Sequence, residues 1–233
     1  MRRFRVSVGN SLKGKVSELG FFLEKIIEIT KAIEQRQLKH EFPLNEELDQ
    51  LNFFFSAYLN TIQSLKDAFQ IAAGTKLTWQ NILPTYRDFV FFCRNATTHD
   101  GCHLINAGKG GKCYIVGPLM RIDNKEKEIT FDPPSEDVFS LCCNLTDEIL
   151  QSLTDFLKSK DFNIPVSTED DFNEDIRTSL TSSFVPNEIK NLIESNVDAI
   201  EASLKGLKVD TVHQTIIEID RVANKVSDAK KFG

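Results

Sequence analysis

Arg94 and His99, set in the segment Arg94-Asn95-Ala96-Thr97-Thr98-His99, are the two side chains of this sequence whose chemistry stands out. Arginine carries a permanent charge on a planar donor fork that suits phosphate, and histidine changes protonation near neutral pH. Together they suffice to cut RNA without a metal. The 2′-hydroxyl attacks the adjacent phosphorus while the imidazole moves protons and the guanidinium stabilises charge on the phosphate oxygens. Asn95 would orient one of these groups or the substrate. Arg87 lies seven residues before Arg94, within about 20° of it on a helix, so the two make one basic face. Lys109 and Lys112, in the glycine-rich run from Gly108 to Lys112, add two mobile cations. The candidate set is therefore Arg94, Asn95 and His99 for catalysis, with Arg87, Lys109 and Lys112 for substrate binding.

Geometry limits the idea, because residues five apart lie about 140° from one another around an unbroken helix. Either the last turn unwinds, or residues converge from two copies of the chain. A histidine at a helix C-terminus meets the negative end of the dipole, which suits a proton donor.

Competing chemistries fit less well. Cys93, His99, Cys102, His103 and Cys113 contain zinc's preferred ligand types, but no two of the cysteines are closely spaced, so no metal is assigned. Position 106 is Asn where a P-loop needs its first glycine, and Cys113 stands where Ser or Thr would hold magnesium. His103 reads as a loop residue. The run Phe53-Phe54-Phe55 could stack bases but suits a helix core better.

The elements that must position these residues are helical. Val16, Leu19, Leu23, Ile26, Ile27 and Ile33 predict an amphipathic helix over about Leu12 to Gln37. Asn45 through Phe69 predicts a second, stopped by Gly74. A third begins near Trp79 or Pro84 and ends at Asp100-Gly101, carrying the Arg-His segment at its end. Lys112–Ile122 and Lys127–Phe131 then flank Asp123-Asn124 as a β-hairpin, and a fourth helix runs from Ser135 through Phe156. Residues 161–175 are acidic and read as a linker or lid. Helical patterns follow over about Glu174–Ser182, Pro186–Leu204 and Asp210–Ala229.

The net charge of −6 is unevenly spread. Residues 1–40 carry nine basic and four acidic side chains, residues 41–160 eleven and sixteen, and residues 161–233 eight and fourteen. This argues against a protein that wraps DNA or RNA by charge alone, though not against a local basic site. An odd set of five cysteines without paired spacing suits a reducing compartment. The absence of a long apolar run argues against a membrane, and the expected localisation is cytoplasmic.

The segment Arg94, Asn95, His99, with four residues between the Arg and the His at the end of a bundle helix, resembles the signature of the HEPN superfamily (higher eukaryotes and prokaryotes nucleotide-binding). The resemblance covers about Asn45 to Lys160. It implies an antiparallel helix bundle that dimerises so that two motifs face one cleft, with metal-independent endoribonuclease activity and no cofactor. It also implies an RNA substrate and, in toxin–antitoxin or abortive-infection systems, an antitoxin partner. Some members are non-catalytic interaction or RNA/nucleotide-binding modules. The expectation is thus a mainly α protein. A HEPN-like bundle would occupy 1–160, with a β-hairpin near 112–131, an acidic linker 161–175 and C-terminal helices 176–233 packing on the bundle.

Overall fold

The computed structural model describes residues 2–122, 126–159 and 164–231. It is mainly helical, as the periodicities predict, and among the described residues three two-stranded sheets accompany the helices. Helices α1 (Arg2–Leu38) and α2 (Asn45–Ala73) form a long antiparallel pair joined by residues 39–44. The expected three- and four-residue spacing is the buried face, except that Ile27 is only partly covered. Leu12, Val16, Leu19, Leu23, Ile26 and Ile33 of α1 meet Leu51, Phe55, Leu59, Ile62, Leu65 and Phe69 of α2. Each such side chain contributes about 1.5–3 kcal/mol on leaving water. Gly74 ends α2 in the left-handed region (φ 68°), its N–H donating to the carbonyls of Gln70 and Ile71.

Helix α1 starts at Arg2 rather than near Leu12, a correction with a visible cause. The early arginines are held by tertiary partners: Arg2 forks onto Asp171, while Arg5 donates from Nε to the Ala72 carbonyl at 2.9 Å and from Nη2 to that of Ala73 at 2.6 Å. Those carbonyls are otherwise unpaired acceptors at the α2 terminus.

A single turn, α3 (Trp79–Ile82), leads into α4 (Arg87–Thr98). Beyond α4 lie two hairpins where the pattern predicts one. Strands β1 (Ile105–Lys109) and β2 (Lys112–Ile115) are joined by Gly110 and Gly111, both at positive φ (61° and 86°), which is the backbone a two-residue hairpin turn requires. The glycine-rich run from Gly108 to Lys112 contains this turn. Strands β3 (Leu119–Ile122) and β4 (Glu128–Phe131) pair in register from Leu119 opposite Phe131 to Ile122 opposite Glu128. Gly117 and Pro118 separate β2 from β3, so the expected continuous strand Lys112–Ile122 is broken. A Cβ at Gly117 would stand 2.2 Å from Pro133 Cδ. The predicted turn residues Asp123 and Asn124 lie outside the described residues.

Helix α5 (Val138–Lys158) is capped by Asp137, which accepts from the Ser140 N–H at 3.1 Å, and it buries Leu141, Cys142, Leu145, Ile149 and Leu153. The predicted linker 161–175 is in its second half ordered secondary structure. Strand β5 (Ser167–Thr168) pairs with β6 (Lys208–Val209), and α6 (Glu169–Leu180) begins immediately after it. Three of the acidic residues that suggest a linker, Glu169, Asp170 and Asp171, occupy the first turn of this helix, where the dipole favours negative charge. Helices α7 (Asn187–Ser195) and α8 (Val197–Leu204) divide at Asn196 what reads as one helix. Helix α9 (Thr211–Lys230) then returns to pack Ile219, Val222 and Val226 against α1 and α5. No helix among the described residues is long and apolar enough to cross a membrane.

Candidate nucleic-acid site at the end of helix α4

Helix α4 buries Phe89, Val90, Cys93 and Ala96 as one stripe, and Phe92 is stacked on Phe131 of β4 at 5.4 Å between ring centroids. The β3–β4 hairpin therefore braces the helix. A second brace acts beyond the helix end, where Arg121 Nε lies 3.0 Å from an Asp100 carboxylate oxygen. The residue that follows His99 is thus fixed to the hairpin.

The helix remains regular to Thr98, and the His99 N–H still donates to the Asn95 carbonyl at 2.9 Å. The chain turns away only at Gly101, which has φ 67°. Unwinding of the last turn, one of the two expected routes to a common site, is therefore not seen. Arg94 and His99 remain about 140° apart in a single chain. Between them on the helix surface stand Phe91, 54% exposed, and Thr98, whose hydroxyl donates to Asn60 Oδ1 at 3.0 Å.

Arg94 is half-buried and leans along the helix, its Nη1 donating to Asn95 Oδ1 at 3.3 Å. Its Nε is enclosed and meets no acceptor among the described residues. Its charge also acts on Asp67 of α2. Burial works to raise that carboxyl, but hydrogen bonds from Gln63 and Lys66, with the charges of Lys66 and Arg94, outweigh it and hold the group below its ordinary range. Asn95 is only 8% exposed, so it faces inward and steadies Arg94 rather than reaching out toward a ligand. His99 is exposed.

The three binding candidates are not gathered beside this motif as a free cationic patch. Arg87 is exposed on α4, but its guanidinium forks onto Asp88 at 2.8 and 3.1 Å and donates to Gln80 at 2.9 Å. Lys112 stands 3.7 Å from Asp137 and lines a hollow with Thr30, Glu34 and Phe139, none of them in α4. Lys109 sits at the β1–β2 tip, over a hollow lined by Tyr114, Ile115 and Pro133. The tip itself is tied to α1 by the Gly111 N–H, which donates to Gln37 Oε1 at 2.7 Å.

Among the described residues, no group of three His, Cys, Asp or Glu side chains converges as a metal site would. Cys93 and Cys113 are buried, and burial lifts their thiols, that of Cys113 to about 11. His103 instead lies edge-on to exposed Phe53, at 5.6 Å between centroids, with its Nδ1 3.8 Å from Asp49. Sequence reasoning does not single out Asn60, Asp67, Asp100 or Arg121. All four take their significance from contacts across the fold, and no local pattern marks them.

No protein-family model matches this chain, and no curated protein or solved structure matches it.

Proposed function

We propose that this chain is a metal-independent endoribonuclease of HEPN type whose active site is completed by a second copy. The observation that carries the reading is the disposition of α4. It ends a bundle helix with an exposed His99 and a half-buried, braced Arg94, on either side of an exposed ridge containing Phe91. Apposition of two such ridges would bury Phe91, and it would supply two arginines and two histidines to one cleft. In that cleft one neutral imidazole takes the proton from the 2′-hydroxyl as its oxygen bonds to phosphorus. The P–O5′ bond breaks, and a protonated imidazole gives its proton to the departing 5′-oxygen. Arg94 neutralises the phosphate oxygens in the crowded transition state, and Asn95 keeps its guanidinium oriented. The products are a 2′,3′-cyclic phosphate and a 5′-hydroxyl. A role as the toxin of a toxin–antitoxin or abortive-infection system extends the same resemblance.

A second reading is a non-catalytic helical interaction module. The burial of Arg94 and its separation from His99 favour it, since a single chain holds the two side chains on different faces.

The test is incubation of purified protein, in chelator, with labelled single-stranded and transfer RNA beside His99→Ala. Cleavage by the parent alone, with cyclic phosphate ends, is expected. No cleavage by the folded parent across a broad set of RNAs would sink the enzyme and leave the module. Co-expressed Arg94→Ala and His99→Ala chains address the shared site, because a heterodimer would retain one Arg and one His from opposite protomers.

A further inference from the structure

Helices α6, α7 and α8 make a small layer whose apolar residues are incompletely covered. Neither α7 nor α8 contains a fully buried residue. Ile176 and Leu180 of α6, Ile193 of α7, and Val197 and Ile200 of α8 line a groove of about 150 Å³. Val197 is 43% exposed there, and on the adjoining face of α7 Leu192 is 61% exposed. Apolar positions at three- and four-residue spacing that stay this exposed mark a helix surface without its partner.

The charge around the groove is one-sided. Residues 169–204 hold nine acidic and two basic side chains. Three of the acids are used by the first helix. Arg2 forks onto Asp171 at 2.6 and 3.0 Å, and Arg3 reaches Glu174 at 3.0 Å and Asp175 at 3.3 Å. Arg177 pairs with Glu201 across the groove at 3.4 Å. Asp170, Glu188, Glu194 and Asp198 have no ion pair among the described residues, and Glu194 stands on the groove wall.

We infer that the α6–α8 layer is a docking surface for a basic amphipathic helix of another protein, whose apolar stripe enters the groove while its Lys and Arg side chains meet the acidic rim. Charge complementarity chooses the occupant. Nucleic acid and anionic membrane carry the same sign as the rim and are repelled. A second copy approaching through the same face would set one acidic rim against another. The molecule already contains an instance of the required recognition, since α6 grips the arginine-bearing start of α1 with its other carboxylates. Helix-in-groove binding of this kind reads apolar anchors at three- and four-residue spacing, with charge fixing direction and encounter rate. The inference is independent of ribonuclease activity and involves none of the residues of the α4 motif.

The experiment uses the full chain and a fluorescent synthetic helical peptide of leucine and lysine, with leucines at three- and four-residue spacing. Its control is a peptide with every lysine replaced by glutamate. Fluorescence anisotropy should show saturable binding of the basic peptide alone. The paired substitutions Glu188→Lys and Glu194→Lys, and separately Val197→Asp, should each weaken it at least tenfold, with helicity by circular dichroism unchanged. Leu192→Ser, on a side chain already exposed, is a further variant that should fold normally and weaken binding. Absence of binding, or equal binding by parent and variants, would overturn the proposal. So would ultracentrifugation showing self-association that the same substitutions abolish, since a second copy would then be the occupant.

Discussion

A close approach between α1 and α9 gives a quantitative test of the packing. A Cβ placed on Gly20 of α1 would stand 2.8 Å from Val222 Cγ2 of α9, and Val222 is fully buried. Gly20→Ala gains up to about 1 kcal/mol of helix propensity. It also forces an overpacked contact costing about 1–3 kcal/mol, so a net loss of about 1 kcal/mol is expected. Val222→Ala removes two methyl groups, worth about 1.6 kcal/mol in transfer, and adds a cavity, for a loss of about 2–3 kcal/mol. In the double variant the new alanine methyl occupies the space vacated by valine. The clash disappears, part of the cavity is filled, and the helix-propensity gain remains. The double should therefore lose only about 1–2 kcal/mol, against a sum of about 3–4 for independent effects, a coupling of about 2 kcal/mol. Urea denaturation of the four proteins followed by far-ultraviolet circular dichroism measures it, provided the slopes agree. Additivity to within about 0.5 kcal/mol would refute the claim that α9 seats on α1 through this glycine.

Three further outcomes follow from particular contacts. In the folded chain a mild alkylating reagent should modify one cysteine, Cys102, because the other four thiols are buried and burial raises each of them; intact mass showing several rapid additions would contradict this. Asn52→Ala should cost about 2 kcal/mol and raise hydrogen exchange in β1, since Asn52 both donates to the Ile105 carbonyl at 2.9 Å and accepts its N–H at 3.0 Å; unchanged exchange there would count against that brace. The Arg2 hydrogen bond, with those from Thr168, outweighs burial and holds Asp171 at about 2. Because the folded value is below the ordinary one, the contribution is complete above about pH 4 and is lost as pH falls toward 2. Asp171→Asn should flatten that part of the acid-stability profile, and an unchanged profile would refute the assignment.

The long helices were legible because their apolar spacing is the burial pattern itself, and Gly74 marked the stop of α2 where its left-handed backbone stands. The start of α1 was not legible. Arg2, Arg3, Arg5 and Gly9 read locally as a polar, weakly helical stretch; their distant partners are α6 for Arg2 and Arg3, α2 for Arg5 and Ile164 for Gly9. The β1–β2 turn failed for a related reason. Gly110 and Gly111 signal flexibility until the pairing of Lys109 with Lys112 reveals a two-residue turn. For the candidate site, the sequence located His99 at the end of its helix and forecast its angular separation from Arg94. It gave no indication that Asn95 would be buried, that Arg87 would be taken up by Asp88, or that the two lysines would belong to another part of the surface. The burial of Asn95 and the placement of the two lysines depend on where other elements come to rest, whereas Asp88 is Arg87's own neighbour on α4.

The seam between α1 and α9 carries a kinetic signature distinct from its contribution to stability. Ser17 meets Glu218 across 201 residues of chain, and Lys225 meets Glu24 across the same separation. Closing so long a loop costs only a little more at equilibrium than closing a short one, because the entropy grows with the logarithm of length. Reaching it takes longer, since contacts distant in sequence delay folding far more than they weaken the folded state. The α1–α2 hairpin, built from near neighbours, is therefore placed to form early, presenting the apolar surface of Gly20, Leu23 and Ile27 for as long as α9 has yet to arrive.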